Sequence, residues 1–136
     1  MNVRETNNGI RILAATCGVD ETLDRLETLA RDRGLRVFAR INFAKDAAEA
    51  GLTLQPTQLL ILGSPVAGTP LMVAAPGTAL DLPLKVLAWQ DVANRCWVSF
   101  NTAEYLQQRH GFPAELVANI SGLEKLVQAA IAAGQD

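Results

Sequence analysis

The segment LLILGSPVAGTPLM, from Leu59 to Met72, changes halfway from apolar residues to glycine, hydroxyl residues and proline. Gly63 and Gly68 enclose four residues and are followed by Thr69, a spacing similar to that of a phosphate-binding loop. Such a loop needs a lysine directly after the second glycine, and it needs free N–H groups around the phosphates. Thr69 occupies the lysine position, and two prolines each remove a donor. The missing lysine and the two prolines therefore argue against nucleoside triphosphate hydrolysis.

The same segment predicts a simpler kind of site. Ser64-Pro65 and Thr69-Pro70 both place a hydroxyl before a proline, which is typical of a helix start. A helix N-terminus favours an anion or a polar ligand group. Alternatively, the hydroxyls only cap the helix and the glycines only serve the backbone. The candidate ligand-binding residues are Gly63, Ser64, Gly68, Thr69, Met72, Lys85 and His110.

Acid/base chemistry has few candidates in this chain. His110 is the only histidine, and Lys85 and Asp81 flank the Leu-Pro-Leu step that starts a predicted strand. A small enzyme could use His110 with Lys85 or Asp81, provided that the side chains converge in a pocket. His110 also suits packing at the end of a predicted helix, where a histidine favours the dipole.

Metal and cofactor chemistry is not predicted. Cys17 and Cys96 lie far apart in the sequence and form no metal-ligand spacing, so we expect two buried free thiols. With a single histidine, no histidine-based metal site is expected either. We therefore predict neither a metal nor a cofactor.

The composition is that of a globular protein. The chain has 136 residues, of which 49% are hydrophobic and 19% charged, enough for a core without disulfides. A net charge of −2 with three lysines offers no basic surface for nucleic acid. The polar start MNVRETNNGI precedes no signal-like or membrane-spanning run, so we expect a cytoplasmic protein with no membrane partner.

Periodicity predicts the elements of the first half of the chain. A strand at IRILAAT is followed by a helix with a stripe of Val19, Leu23, Leu26 and Ala30, which ends at Gly34. The alternation in LRVFARINF predicts a second strand, and AKDAAEAG predicts a short helix. The run LLIL is apolar throughout, which predicts a strand in the middle of a sheet and covered on both faces.

The second half predicts a hairpin and two helices. LPLKVLAWQD and CWVSF form the hairpin, on which Trp89 and Trp97 are expected at outward or interfacial positions. Exposed tryptophans there suggest a partner surface. A helix from Ala103 to His110 ends at Gly111, and a last helix begins near Pro113. Gly122 weakens the last helix, which predicts that it is two segments.

These elements predict a single α+β domain, a two-layer sandwich with helices packed on a mixed β-sheet. The domain spans residues 10–133 and follows an N-terminal tail, residues 1–9. The mixed sheet is expected because the order of elements combines hairpin and crossover connections.

Three phrases, ILGSPVAGTPLMVAAP, LDLPLKVLAWQD and CWVSFNTAEYLQQRHG, resemble the domain of unknown function numbered 302. The resemblance runs from about Ile10 to Ala133. It implies a small α+β domain, often a homodimer, without an established activity. Relatives often have Asp-His where this chain has Asn42-Phe43. This departure removes a carboxylate and an imidazole, which counts against acid/base catalysis.

We therefore expect a non-catalytic homodimeric module that binds a small polar or anionic ligand at Gly63–Met72. One alternative is the small enzyme built on His110. Another is a purely structural or protein-interaction domain, with Trp89, Trp97 and the last helix as its surface. The sequence does not identify the ligand.

Overall fold

Six strands and five α-helices make up the computed structural model, which describes residues 3–5 and 8–133. The strands are β1 (Val3–Glu5), β2 (Ile10–Ala14), β3 (Arg36–Asn42), β4 (Thr57–Gly63), β5 (Leu84–Gln90) and β6 (Cys96–Asn101). The helices are α1 (Val19–Asp32), α2 (Phe43–Glu49), α3 (Pro65–Ala74), α4 (Ala103–His110) and α5 (Leu123–Ala133). Two 3-10 segments, Pro76–Asp81 and Ala114–Asn119, follow α3 and α4.

All six strands form one sheet in the order β1-β2-β6-β5-β4-β3. Every neighbouring pair is antiparallel, so the predicted mixed sheet is wrong, whereas the α+β class is confirmed. The helix α1 does connect two strands of equal direction, β2 and β3. These strands lie near opposite edges, and β6, β5 and β4 fill the space between them. Because the crossover strands are not neighbours, no parallel pair forms.

The predicted stripe of α1 is confirmed. Val19, Leu23, Leu26 and Ala30 are all buried, with acidic residues in the first turn of the helix. Gly34 follows the helix with φ of 78°, a left-handed conformation that glycine adopts at no steric cost. The helix therefore begins and ends where the sequence predicts.

One face of the sheet carries the main core, and we call it the core face. On it, Leu13, Leu60, Val86, Val98 and Phe100 pack against α1 and against the apolar side of α5. A second cluster continues this layer beyond the sheet, and its buried residues are Leu71, Ala103, Leu106, Phe112 and Ile120. Burial of apolar surface on this side is the main stabilising contribution.

A polar network ties α1 to the strands below it. The guanidinium of Arg40 on β3 donates to Asp24 at 2.6 Å and to Asp20 at 3.1 Å. It also donates to Gln58 on β4 at 2.9 Å, and the Gln58 amide donates to Asp20 at 2.6 Å. These hydrogen bonds fix the first half of α1 over β3 and β4.

The other face of the sheet has little cover, and we call it the open face. Of its side chains on β2, β4, β5 and β6, only Trp97 is buried. The strand register places on this face the partly exposed residues Ile10, Ile12, Ala14, Thr57, Leu59, Ile61, Leu87 and Trp89. The strand β4 accordingly alternates between buried and half-buried residues, and the prediction that both its faces are covered is wrong.

The prediction that both tryptophans point outward is wrong for Trp97, which is 2% exposed. Trp89 stacks against it with 6.4 Å between ring centroids, and Arg95 lies over its ring at 4.7 Å. The Trp97 indole N–H also donates to Asp91 at 2.9 Å. The hairpin's own side chains therefore cover this ring.

The N-terminal end of the chain differs from the prediction, whereas the C-terminal end agrees with it. Val3–Glu5, within the segment treated as an N-terminal tail, pairs with β2 as a short edge strand. Residues 1, 2, 6 and 7 of that tail lie outside the described residues. The C-terminal helix is two segments, as predicted, since Ala114–Asn119 is a 3-10 turn and α5 begins only at Leu123.

Candidate functional site

The helix α3 begins at Ser64-Pro65, directly after β4 ends, which confirms one of the two predicted helix starts. The Ser64 hydroxyl accepts a hydrogen bond from the N–H of Ala67 at 3.4 Å, and Pro65 occupies the first helical position. The second candidate, Thr69-Pro70, lies inside the helix instead. Pro70 removes one donor there without ending the helix.

The start of α3 has little spare hydrogen-bonding capacity. Pro65 has no N–H, and the backbone amides of Ala67 and Gly68 both donate to the carbonyl of Ser64. Among the described residues, only Val66 in this first turn shows no acceptor for its amide. A free helix end with several open amides is what binds a phosphate, so this end is a weak anion site by itself.

A cavity of about 540 Å³ lies beside α3, at the end of the core face where β4 ends and β5 begins. It is bounded by α3, by the segment that leads into β5, by the C-terminal end of α1 and by the start of α5. Most of its lining is apolar and includes Leu35, Phe38, Leu62, Met72, Leu82 and Leu126. Its volume falls within the range of small-molecule sites.

Among the described residues, Arg33 is the only charged one that lines the cavity. It follows the last turn of α1, it is exposed, and the described residues form no ion pair with it. Asn119, another polar residue of the lining, donates to the carbonyl of Ala67 at 3.0 Å and so holds the chain before α5 against α3. The cavity thus combines an apolar body with a single cation at its rim.

The structure brings together five of the seven predicted ligand-binding residues. The lining of the cavity includes Gly63, Ser64, Gly68, Thr69 and Met72. A Cβ on Gly68 would meet the Leu82 side chain at 3.6 Å, so this glycine leaves room at the cavity wall. Lys85 does not line the cavity, and its ammonium contacts the carbonyl of Pro83 at 3.4 Å.

His110 also lies outside the lining, but it does meet one of its predicted partners. Its Nε2 lies 2.5 Å from an Asp81 carboxylate oxygen, and Arg109 contacts the same oxygen at 3.2 Å. Both His110 and Asp81 are largely buried. The contact joins the end of α4 to the 3-10 segment Pro76–Asp81. The pair predicted for acid/base chemistry therefore forms, with Lys85 separate from it.

Sequence reasoning missed half of the cavity. Arg33, Phe38 and the start of α5 come from parts of the chain that are distant in sequence. One signal was available in the sequence, because the alternation of this strand groups Phe38 with the polar residues Arg36 and Arg40. In the structure, Phe38 is 45% exposed. No pattern in the sequence indicates that α5 reaches this end of the sheet.

No metal centre is found among residues 3–5 and 8–133. Within these ranges, no group of three or more His, Cys, Asp or Glu side chains could hold a metal ion. Every helix described is too short or too polar to cross a membrane.

Comparison with known proteins identifies a family for most of the chain. The model of the family described as "Domain of unknown function DUF302" matches residues 12–133. A crystal structure of an uncharacterized conserved DUF302 protein from Bacillus stearothermophilus has a TM-score of 0.75 and 18% identity. The match covers 91% of this chain and 96% of that one, and at this identity it shows the fold alone.

Curated relatives are longer proteins. Two proteins named Fluoride-specific ion channel FluC 1, from Brucella suis biovar 1 and Brucella abortus biovar 1, are each 38% identical over 104 residues. The match covers 76% of this chain but only 41% and 38% of those proteins. The chain thus spans about two-fifths of the length of the curated relatives that it matches.

Proposed function

Since this chain belongs to the DUF302 family, whose activity is unknown, we propose from its geometry that it is a non-catalytic module that binds a small ligand. The cavity beside α3 is the site. The observation that carries the proposal is the placement of five predicted ligand-binding residues along one cavity of about 540 Å³. An open apolar cavity with few polar groups is the usual form of a small-molecule site.

The lining favours a ligand with an apolar body. Leu62, Leu84 and Leu126 belong to the walls, and burial of an apolar chain against them supplies the main binding energy. The cavity is too apolar for a free phosphate or another small inorganic anion. The expected ligand therefore differs from a purely polar one.

The rim favours a negatively charged head group. Arg33 lines the cavity and has no ionic partner in the described chain, and Ser64 and Pro65 at the start of α3 line it as well. A guanidinium and a helix N-terminus both stabilise a carboxylate or a similar group. We therefore infer an amphipathic ligand, for which a medium-chain aliphatic carboxylate is the simplest probe.

Titration with decanoate, and with decanol as the uncharged equivalent, tests this proposal. Decanoate at 100 times its dissociation constant should raise the free energy of unfolding by about 2.7 kcal/mol. Gly68→Val, which places a larger side chain toward Leu82, should abolish binding of both compounds. Arg33→Gln should weaken the binding of decanoate and leave the binding of decanol unchanged.

A matched control separates filling of the cavity from damage to the helix. Ala74→Val adds the same β-branched side chain to α3 at an exposed residue outside the lining, and should leave binding intact. If Gly68→Val binds decanoate as well as the unchanged protein does, this cavity is not the site.

We propose, as a second part of the function, that two copies associate through their open faces. In a twofold interface the same patch meets itself, so a charged patch would repel its own copy. On β2, β4, β5 and β6, Lys85 is the only charged side chain that the register of the described residues places on this face. The other side chains that these strands place on this face are apolar except Thr57, Ser99 and Asn101, and most of them are partly exposed, which favours self-association.

Sedimentation velocity tests the association. Leu87→Glu places a carboxylate in the middle of the open face and should convert a dimer to a monomer. Leu80→Glu, at a 73% exposed residue outside the sheet, is the control and should leave the dimer intact. A monomer at every concentration of the unchanged protein would contradict this part of the proposal.

A further inference from the structure

Two thiols meet at the N-terminal end of α1, at the opposite end of this helix from the cavity. Cys17 lies between β2 and α1, and Cys96 begins β6, the strand beside β2. The N–H of Ala15 donates to the carbonyl of Cys96 at 2.9 Å, which brings the two segments together. Residues that are 79 positions apart in sequence thus form one cluster.

One buried hydroxyl lies beside the Cys17 sulfur. The Thr22 hydroxyl is 3.2 Å from that sulfur and donates to the carbonyl of Cys17 at 3.3 Å. The Cys96 thiol lies close enough that both Thr22 and Cys17 influence its pKa. Thr22 is 2% exposed, whereas both cysteines are only partly buried and both are free thiols. Both thiols are free, as expected, but the expectation that they are buried is wrong, since each is partly exposed.

The two thiols have different surroundings. Arg25 donates to the Cys17 sulfur at 3.2 Å, and Glu21 holds the same guanidinium at 2.6 Å. Cys17 also directly precedes the positive end of α1. An arginine and a helix N-terminus are the features that accompany reactive cysteines. Burial, in contrast, raises the pKa of Cys96 to about 11, so this thiol stays protonated at neutral pH.

We propose that Cys17 is a nucleophilic thiol that hydroperoxides oxidise, and that Cys96 resolves the product to an intramolecular disulfide. The proposal uses a pair of thiols on neighbouring segments, one of which has a cation in contact. It is independent of the ligand cavity, because the length of α1, about 20 Å at 1.5 Å per residue, separates the two places. Either proposal can fail without the other.

The reaction balances in two steps. In the first, the Cys17 thiolate attacks one oxygen of hydrogen peroxide, an S–O bond forms, the O–O bond breaks and hydroxide leaves. In the second, the Cys96 thiol loses its proton and attacks the sulfenic sulfur; the S–S bond forms, the S–O bond breaks and water leaves. The pair of thiols loses two electrons, and peroxide gains them.

Disulfide formation requires a local movement. The bridge needs the two Cβ atoms about 3.5–4.5 Å apart. The Cys17 sulfur must therefore leave its contact with the Thr22 hydroxyl. The connection that carries Cys17 is short and includes Gly18, next to which the structure shows open space. The movement can therefore remain within residues 15–18.

Intact-mass measurement of the reduced protein after treatment with hydrogen peroxide tests the proposal. The expected product has lost two hydrogen atoms and is monomeric in denaturant, with a peptide that links Cys17 to Cys96. In Cys96→Ser, dimedone should trap a sulfenic acid at Cys17. Oxidation that stops at sulfinic acid in the unchanged protein, or a disulfide between two chains, would overturn the assignment.

Alkylation with iodoacetamide tests the role of Arg25. Arg25→Gln should slow modification of Cys17 about tenfold, and Arg25→Lys should restore part of the rate. Arg31→Gln is a matched control, because Arg31 makes the same i,i+4 pair with Glu27 in the same helix and does not contact a thiol. Equal rates of Cys17 alkylation in Arg25→Gln and Arg31→Gln would contradict a role for the Arg25 guanidinium.

Discussion

The two faces of the sheet are built from the same strands, yet they differ in what covers them. On β4, Leu60 is fully buried under α1, whereas Leu59, the residue before it, is half-buried on the open face. On β5, Val86 and Leu87 show the same contrast. The alternation of a strand sends adjacent leucines to opposite sides, so cover depends on the rest of the fold.

The difference shows where stability and association can be separated. Contacts on the core face hold the chain together, and the cavity is a place where this packing is incomplete. Apolar residues on the open face contribute less to the fold of one chain, and they are the residues through which we propose that two copies associate. Substitutions on the two faces should therefore change different measured quantities.

Leu60→Ala should have the largest effect on the free energy of unfolding. Leu60 is 0% exposed, and loss of a buried leucine side chain typically costs about 2–5 kcal/mol, because the cavity left behind relaxes only in part. Leu59→Ala is the control on the other face and should cost clearly less. Urea unfolding at a concentration where the protein is monomeric measures both. Equal losses would refute the contrast between the faces.

Gly68→Ala should stabilise the protein by about 1 kcal/mol, because alanine favours a helix interior more than glycine does. The new Cβ would lie at ordinary contact distance from Leu82, toward the cavity, so nothing has to move. Thermal unfolding measures the gain. A loss of stability would mean that the cavity wall beside α3 is tighter than the structure shows.

Trp89→Phe should cost about 0.5 kcal/mol, since it removes one hydrogen bond of a partly exposed residue on the open face. The indole N–H donates to the Ser99 hydroxyl at 2.8 Å, while stacking on Trp97 can persist with a phenyl ring. Ser99→Ala should cost a similar amount, and the double variant should cost less than the sum. Strict additivity in urea unfolding would show that the bond contributes nothing.

Asp91→Asn should have the smallest effect, and the effect should depend on pH. Hydrogen bonds from the Trp97 indole and from the amides of Arg95 and Ala93 hold the pKa of Asp91 below its ordinary value of 3.8. A lowered pKa in the fold gives stability that is present above pH 3.8 and lost as the pH falls through the lowered value. At pH 7, the melting temperature of the variant should therefore be slightly lower than that of the unchanged protein. At acidic pH below the lowered pKa, the two melting temperatures should be equal. A constant difference would exclude a role for the charge.

Local patterns predicted the elements better than their arrangement. The stripe of α1 and the glycine stops at Gly34, Gly51 and Gly111 follow from short-range physics, and each of these glycines has a positive φ. The antiparallel strand order does not follow from short-range physics. One neighbour of β2 in the sheet is β6, which is more than 80 residues away in the sequence. Which strands become neighbours depends on the whole chain.

Only the wall of the cavity formed by Gly63–Met72 was predictable from the sequence. The segment Gly63–Met72 can be recognised from its glycines and hydroxyl residues, and the helix start at Ser64 follows from capping chemistry. Arg33 gives no such signal, since it resembles any other charged residue after a helix. The thiol cluster is similar, because only the pairing of β2 with β6 brings Cys17 to Cys96.

The edge strand β3 bears on how the protein avoids aggregation. Its pairing with β4 shifts register between Val37 and Ala39, and the guanidinium of Arg36 lies 5.5 Å from the centre of the exposed Phe38 ring. An irregular edge flanked by a charge is a poor template for a strand from another molecule. Copies of this chain therefore meet an obstacle to endless edge-to-edge growth.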